Sequence, residues 1–204
     1  MTKQGPGYNA DVDLFSADRK TVARMVDELV KFIEPAHCRG KHCTDIGPYN
    51  PKMDILKERL GLEVEQVYVP DYNFNSLAYF AGKHDVVFCF EVLEHLQNPL
   101  WFIRQIKQYL LAPGGVIYLS MPSNPHFLRY PFHFHEMRRD MLQTWILEPL
   151  GLKIVRHRRF NFVNNWRSMF IGIRPLLRAI RTRDIRPILW GFIQINNFYE
   201  IRAS

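Results

Sequence analysis

The chain has 204 residues, of which 47% are hydrophobic and 14% aromatic, and carries a net charge of +7. That length holds one α/β domain with a full core, and that apolar content excludes a disordered chain. No apolar run is long enough to cross a bilayer, Met1 to Asp13 is polar and glycine-rich rather than a secretion signal, and Cys38, Cys43 and Cys89 fit reduced thiols, so a cytoplasmic protein is expected.

Residues 1–15 read as a loose arm. Asp18 to Ile33 predicts an amphipathic helix, capped by Ser16 or Asp18, with Val22, Met25, Val26, Leu29 and Ile33 on one face and Pro35 as its stop. Cys43 to Ile46 is a short strand ending at Gly47. Pro51 to Leu60 is a helix with Gly61 as its cap. Glu63 to Val69 alternates as a strand, Pro70 to Ser76 is a loop, and Leu77 to Phe80 is one helical turn. The stretch from Asp85 to Ser123 is the clearest. An apolar run, Val86 to Phe90, is followed by an acidic turn, Glu91 to His95. A helix-period segment from Pro99 to Leu111, a Pro-Gly-Gly stop and a second apolar run, Val116 to Met121, complete a βαβ unit. A loop rich in Pro and His, Pro122 to His135, leads to a helix from Glu136 to Leu150 that ends at Gly151. Leu152 to Phe160 is a strand, residues 161–190 form a basic insertion or cap, and Phe192 to Ile201 is a final strand. No repeat or linker marks a second domain, so residues 1–204 read as one unit.

A βαβ unit implies a parallel sheet, and such sheets bind ligands at the carboxyl ends of their strands. Asp45-Ile46-Gly47 and Glu91, Glu94 and His95 fall at such ends. A glycine there lets backbone approach a ligand, and the following helix N-terminus favours polar or negative groups. If Glu91 to His95 is helical, its three ionisable side chains share one face. His95 then suits general-base work, and the trio could instead hold a divalent ion. His126, His133, His135 and Glu136 form a second polar cluster. An extended segment points His133 and His135 the same way, toward substrate or packed on Tyr130 and Phe132. His37-Cys38 and His42-Cys43 resemble a metal box but flank a loop and begin a strand, and no metal ligand set is assigned.

The run EVLEHL after one strand, the L-x-PGG pattern leading to S-x-P through the next, and TDIGPYNPK upstream together resemble a class I S-adenosylmethionine-dependent methyltransferase of the small-molecule kind. Asp45 and Gly47 match the family's first motif, whereas Tyr49 and Pro51 stand at its second and third glycine positions. The resemblance implies a Rossmann-like α/β methyltransferase fold, with a mostly parallel sheet flanked by helices and an antiparallel final strand. It implies S-adenosylmethionine as cofactor, held by Asp45, Gly47, Tyr49, Phe90 and Glu91. The family's acidic residue on the ribose has no clean match; Asp71, with Glu65 as second choice, is the candidate cofactor contact from that region, and a turn cap is the alternative for Asp71. It also implies that the loop carrying His133 and His135 lies over the active site, so His95, His133 and His135 are the candidate catalytic residues. Only 45 residues separate Asp45 from Phe90. A shortened first half, with a strand and a helix missing or reduced, is therefore expected.

The positive charge is lopsided. Residues 151–204 hold eleven Lys or Arg against two Asp or Glu, a balance of +9, while residues 1–150 hold 16 against 18, a balance of −2. Arg174, Arg178, Arg181, Arg183 and Arg186 lie among Trp166, Phe170, Trp190 and Phe192. This pattern suggests an anionic partner: a small or carrier-bound acceptor such as a sugar or lipid-linked intermediate, or peripheral contact with the anionic inner membrane surface. A solvated basic face is the plainer alternative. No nucleic-acid motif is recognised. Three rival functions remain: a degenerate methyltransferase fold acting as a binding or scaffold protein, a nicotinamide-dependent enzyme, and a membrane- or nucleic-acid-binding module built around the basic tail. The second is disfavoured because Gly-x-Gly-x-x-Gly is absent after the first strand.

Overall fold

The computed structural model describes residues 19–80, 82–123, 133–161, 180 and 195–204. The loose arm, His126, Tyr130, Phe132 and all but Asn161 and Ile180 of the basic insertion lie outside the described residues. Six strands form one sheet in the order β2-β1-β3-β4-β6-β5. They are β1 (Cys43–Ile46), β2 (Val64–Val67), β3 (His84–Phe90), β4 (Leu111–Pro122), β5 (Leu152–Asn161) and β6 (Ile195–Ala203). The first four pair in parallel, and β6 runs antiparallel between β4 and β5. The mostly parallel sheet and the antiparallel final strand are as the resemblance implied.

Both faces of the sheet are covered, which is why β3 reads as an unbroken apolar run. Val86 and Phe88 face the layer of helices α1 (Arg19–Phe32) and α3 (Pro51–Leu60), through Met25, Val26, Leu29, Met53 and Leu56. Val87 and Cys89 face Phe102, Ile103 and Ile106 of the opposite layer, where Leu142 and Ile146 also pack. Each such fully buried side chain contributes about 1.5–3 kcal/mol. Pro35 does not simply stop α1: it opens a second short helix, α2 (Pro35–Cys38), where its missing N–H costs nothing. Helix α3 begins at Pro51 behind Asn50, whose side chain accepts from the Lys52 N–H, and ends at Gly61 with φ 63°. Helix α4 (Pro99–Gln105) is capped by Asn98 and continues as a π-helix over Ile106–Leu110.

The helix expected from Glu136 starts later, as α5 (Arg139–Met141), running on through a π segment and a 3₁₀ turn to Leu150. The cause is local. The Phe134 and His135 N–H groups donate to the Glu94 carbonyl, and the Glu136 carboxylate is held by His133, so 133–136 stays outside the helix.

The shortened first half is present. Between β2 and β3, residues 68–83 cross over β1 with only one 3₁₀ turn, Leu77–Tyr79, among the described residues. Packing replaces the helix. Buried Tyr72 donates to the Val67 carbonyl at 3.0 Å and meets the Phe102 ring edge-on at 5.5 Å. The Leu77 N–H reaches the Gln105 side chain at 2.9 Å, and the Gln97 N–H reaches that of Asn73 at 2.6 Å. No helix of the described residues is long and apolar enough to cross a membrane.

Candidate functional site

The chain leaves β1 for β2 on one side, and β3 then pairs on the other side. This is a topological switch point, where adjacent connections part and leave a crevice beyond the carboxyl ends of β1 and β3. Gly47 and Glu91 follow those two strands directly. Their turns are in contact, since a methyl group on Gly47 would sit 3.8 Å from the Val92 side chain. Gly47 has φ +149°, a conformation that L side chains rarely adopt, so the glycine is required by its backbone. Its N–H donates to the Val67 carbonyl at 3.2 Å and its carbonyl accepts from the Gln66 side chain at 2.7 Å. The turn is therefore fixed from within.

Asp45 is 5% exposed at the end of β1. Burial raises its carboxyl from the ordinary 3.8 to about 7, with the Gln66 hydrogen bond at 3.3 Å and the more distant Lys57 pulling the other way. Gln66 was not among the expected site residues. The strand register, which sets it opposite Asp45, is the signal that finds it.

At the end of β3, Glu91 takes φ 57°, the one positive φ among described non-glycine residues. Such strain collects at ligand sites. The backbone is held there by the Glu91 N–H donating to the Ser120 carbonyl at 3.1 Å, and the Ser120 hydroxyl donates to the Glu91 carboxylate at 2.5 Å. Ser120 belongs to the S-x-P run after β4's apolar core, a motif whose hydroxyl had been given no role.

The strained turn breaks the expected common face. Only Leu93–His95 is helical, as a single 3₁₀ turn, so Glu91 points to Ser120 while Glu94 and His95 turn toward another partner. That partner is His133, whose ring centroid lies 4.8 Å from that of His95, edge to face. Glu94 is 1% exposed, and neither carboxylate oxygen has a hydrogen-bond partner among the described residues. The nearest nitrogen, His95 Nε2, is 3.9 Å away. Burial first, then the Glu91 charge, drives the Glu94 carboxyl well above the usual range. The buried Cys89 thiol is raised by burial first, then by the charges of Glu94, Asp45 and Glu91. His133 Nδ1 lies 2.6 Å from Glu136 Oε1, whose side chain is 3% exposed. Glu94, His95 and His133 each offer one donor atom, all within 4.8 Å of one another, and are the group of the described residues able to hold a metal ion.

Four expected contacts fall elsewhere. Tyr49 is 63% exposed, and its hydroxyl donates to Asp54 at 2.6 Å. Asp71 lies four positions past β2 and uses Oδ1 to accept from the Asn73 N–H, so it shapes a turn. Glu65 is exposed within β2 and lies 3.8 Å from His84 at the opposite, amino end of β3. His135 meets the Gln97 carbonyl at 3.3 Å, outside the three-residue cluster. Phe90 stays near the crevice, with its ring 5.6 Å from that of Phe88 and packed toward the α1/α3 layer.

Comparison with known proteins agrees with this geometry. The family described as "Methyltransferase domain" matches residues 12–168. The chain belongs to this family. One relative, a ubiquinone biosynthesis O-methyltransferase from Haemophilus ducreyi, is 41% identical over 69 residues, covering 34% of this chain and 29% of the relative. A probable S-adenosylmethionine-dependent methyltransferase from Mycolicibacterium smegmatis is 28% identical over 156 residues, 74% of this chain and 49% of the relative. The chain thus spans less than half the length of both curated relatives. A solved S-adenosylmethionine-dependent methyltransferase from Archaeoglobus fulgidus superposes with a TM-score of 0.59 at 16% identity, over 90% of this chain and 94% of that one, and so shares the fold.

The cofactor named for these relatives carries an ammonium and a sulfonium. The crevice fits such a cation: Asp45 lies at the carboxyl end of β1, Glu91 and Glu94 follow β3, and no Lys or Arg of the described residues forms an ion pair with them.

Proposed function

We propose that this methyltransferase-family domain transfers a methyl group from S-adenosylmethionine to a hydroxyl oxygen of a small or carrier-bound acceptor. The observation that carries the reading is the acidic crevice at the switch point. Buried carboxylates without cationic partners are costly, and a cationic ligand relieves that cost. When bound, the cofactor supplies a methyl already made electrophilic by its sulfonium. Asp45 and the Gly47 turn hold its amino-acid end, and Glu91, fixed by Ser120, lies beside it. His95 and His133 face the acceptor and manage its proton, and their geometry does the remaining work of alignment. The O-methyltransferase names of the relatives support oxygen as the accepting atom.

The reading extends to a cytoplasmic protein with an anionic acceptor or a peripheral contact with anionic lipid, supported by the +9 balance of residues 151–204. Within the described residues, Arg156, Arg158 and Arg202 of that region are paired with Glu28 or Glu200, and the reading assigns the contact to Arg174, Arg178, Arg181, Arg183 and Arg186, outside those residues. Sedimentation with anionic vesicles should be salt-sensitive; protein left in the supernatant at low salt removes the lipid version.

A second reading, a binding or scaffold protein on a methyltransferase fold, is favoured by one observation: Asp71 serves a turn instead of a ribose. Calorimetric titration with S-adenosylmethionine and S-adenosylhomocysteine tests the main reading. Heat with both ligands is expected. No heat and no melting shift at millimolar ligand would overturn it.

A further inference from the structure

We infer that the outer edge of β2 binds a second copy of this chain, the two β2 strands pairing antiparallel about a two-fold axis at Gln66. The sheet has two edge strands, β2 and β5. A bare edge offers N–H and C=O groups to any other strand, and proteins blunt it with lysine, proline or a bulge. β5 is blunted in this way. It carries Lys153, Arg156, Arg158 and Arg159, and its register shifts between Ile154 and Arg156. β2 is not. Residues 63–69 contain no Lys, Arg or Pro, and the register of β2 on β1 runs without a shift. The crossover that leaves β2 adds no strand beside it among the described residues. It exposes aromatic rings instead: Tyr68 is 49%, Phe74 74% and Tyr79 87% exposed.

The pairing register follows from the backbone groups already in use. The Val67 carbonyl accepts from the Gly47 N–H at 3.2 Å, and the Glu65 carbonyl accepts from the Thr44 hydroxyl at 3.0 Å, so both point toward β1. Backbone groups alternate in direction along a strand, so those of Val64, Gln66 and Tyr68 point outward. Residues opposite each other in an antiparallel hydrogen-bonded pair must both point outward, which puts a two-fold axis on a residue rather than between two. An axis at Gln66 uses the whole stretch before Pro70.

In that register Gln66 meets its own copy, Val64 lies opposite Tyr68 of the partner subunit, and Glu65 lies opposite Val67 of the partner subunit. A β-branched residue across from an aromatic one is a favourable pair, and no like charges are directly opposed. The two Glu65 side chains are diagonal neighbours about 7–8 Å apart, which weakens the contact. The strand is short, and the interface falls below the about 1,600 Å² of a standard one, so the dimer is weak and concentration-dependent. The cofactor crevice lies between β1 and β3, on the inner side of β1, so pairing at β2 leaves it open. The inference does not rest on the methyl-transfer reading.

The test is sedimentation equilibrium of the full chain from micromolar to millimolar concentration. Wild type should pass from monomer to dimer. Tyr68→Lys should weaken association about tenfold, because the Val64–Tyr68 pair occurs twice, and Glu65→Gln should tighten it several-fold. Amide exchange at Gln66 and Tyr68, read by NMR, should slow as concentration rises. S-adenosylhomocysteine, titrated by calorimetry, should bind wild type and both variants alike. If Tyr68→Lys fails to fold, Glu65→Gln and the exchange data decide. Wild type that stays monomeric at millimolar concentration overturns the inference. So does a dimer that neither variant alters and that leaves the Gln66 amide unprotected, since it uses another surface.

Discussion

Glu94 and Glu200 are both buried carboxylates on one sheet, 1% and 5% exposed, yet their surroundings are opposite. Glu200, on β6, is flanked by two cations, Arg202 at 2.9 Å and Arg156 at 3.1 Å, with His37 Nδ1 at 3.9 Å. Arg156 also covers the Phe32 ring at 4.7 Å and bonds the Phe32 carbonyl, while Arg202 reaches His37 Nε2 at 2.7 Å. This network ties β6 and β5 to the end of α1 and to α2. In the crevice, neither Glu94 carboxylate oxygen has a hydrogen-bond partner among the described residues, and Asp45 has the Gln66 side chain and the more distant Lys57. A charge whose partners come with the fold serves the fold. A charge left without them is available to a ligand, at a cost to the unliganded protein.

The largest expected effect is at Gly47. Gly47→Val places a β-branched residue at φ +149° beside Val92, so cofactor binding should be lost and the melting temperature lowered by strain of about 1–3 kcal/mol. Retained S-adenosylhomocysteine binding, measured by calorimetry, would separate the turn from the ligand. Next comes the direct contrast. Glu200→Gln should cost about 2–3 kcal/mol in urea unfolding, because it leaves two arginines short of their partner and they are only partly exposed to water. Glu94→Gln in EDTA should leave stability unchanged or raise it. Equal losses in both variants would erase the distinction between the two regions.

Asp45 sharpens the comparison through pH. Its folded pKa of about 7 lies above the ordinary 3.8, so between about pH 4 and 7 the folded state keeps a proton that the unfolded chain has released. Its contribution is complete below about pH 4 and disappears as pH rises through 7. The unliganded wild type should therefore lose stability across that window relative to Asp45→Asn, and saturating S-adenosylmethionine should flatten the difference. Parallel pH–stability curves for the two proteins would rule out the buried-acid account. The smallest effect is at Ser120. Ser120→Ala removes one hydrogen bond to the Glu91 carboxylate, worth about 1–2 kcal/mol, and should weaken cofactor affinity several-fold without changing the fold.

Much of the chain was legible locally. The α1 stripe, β1, the Gly61 cap of α3, and the βαβ unit from Asp85 all follow from periodicity and turn chemistry, which act within a few residues. The short stretch from Asp45 to Phe90 announced the missing helix, because chain length alone limits what can be built there. The pairing of Asp45, Gly47 and Glu91 was also within reach, since each ends or follows a strand. The rest depended on three dimensions. Glu91, Glu94 and His95 look like one helical face in sequence, but a positive φ at Glu91 divides them, sending one carboxylate to Ser120 and the others to His133. No local pattern fixes that, because Ser120 is 29 residues away and arrives only when β4 pairs with β3. His133 and His135 look equivalent by alternation, yet the backbone bonds to Glu94 place one in the cluster and turn the other to Gln97. Local propensity determined the elements and the ends of the strands. Which side chains meet there, and which carboxylates are left without a cation, was decided by sheet order and packing, since burial and charge pairing are properties of the assembled fold.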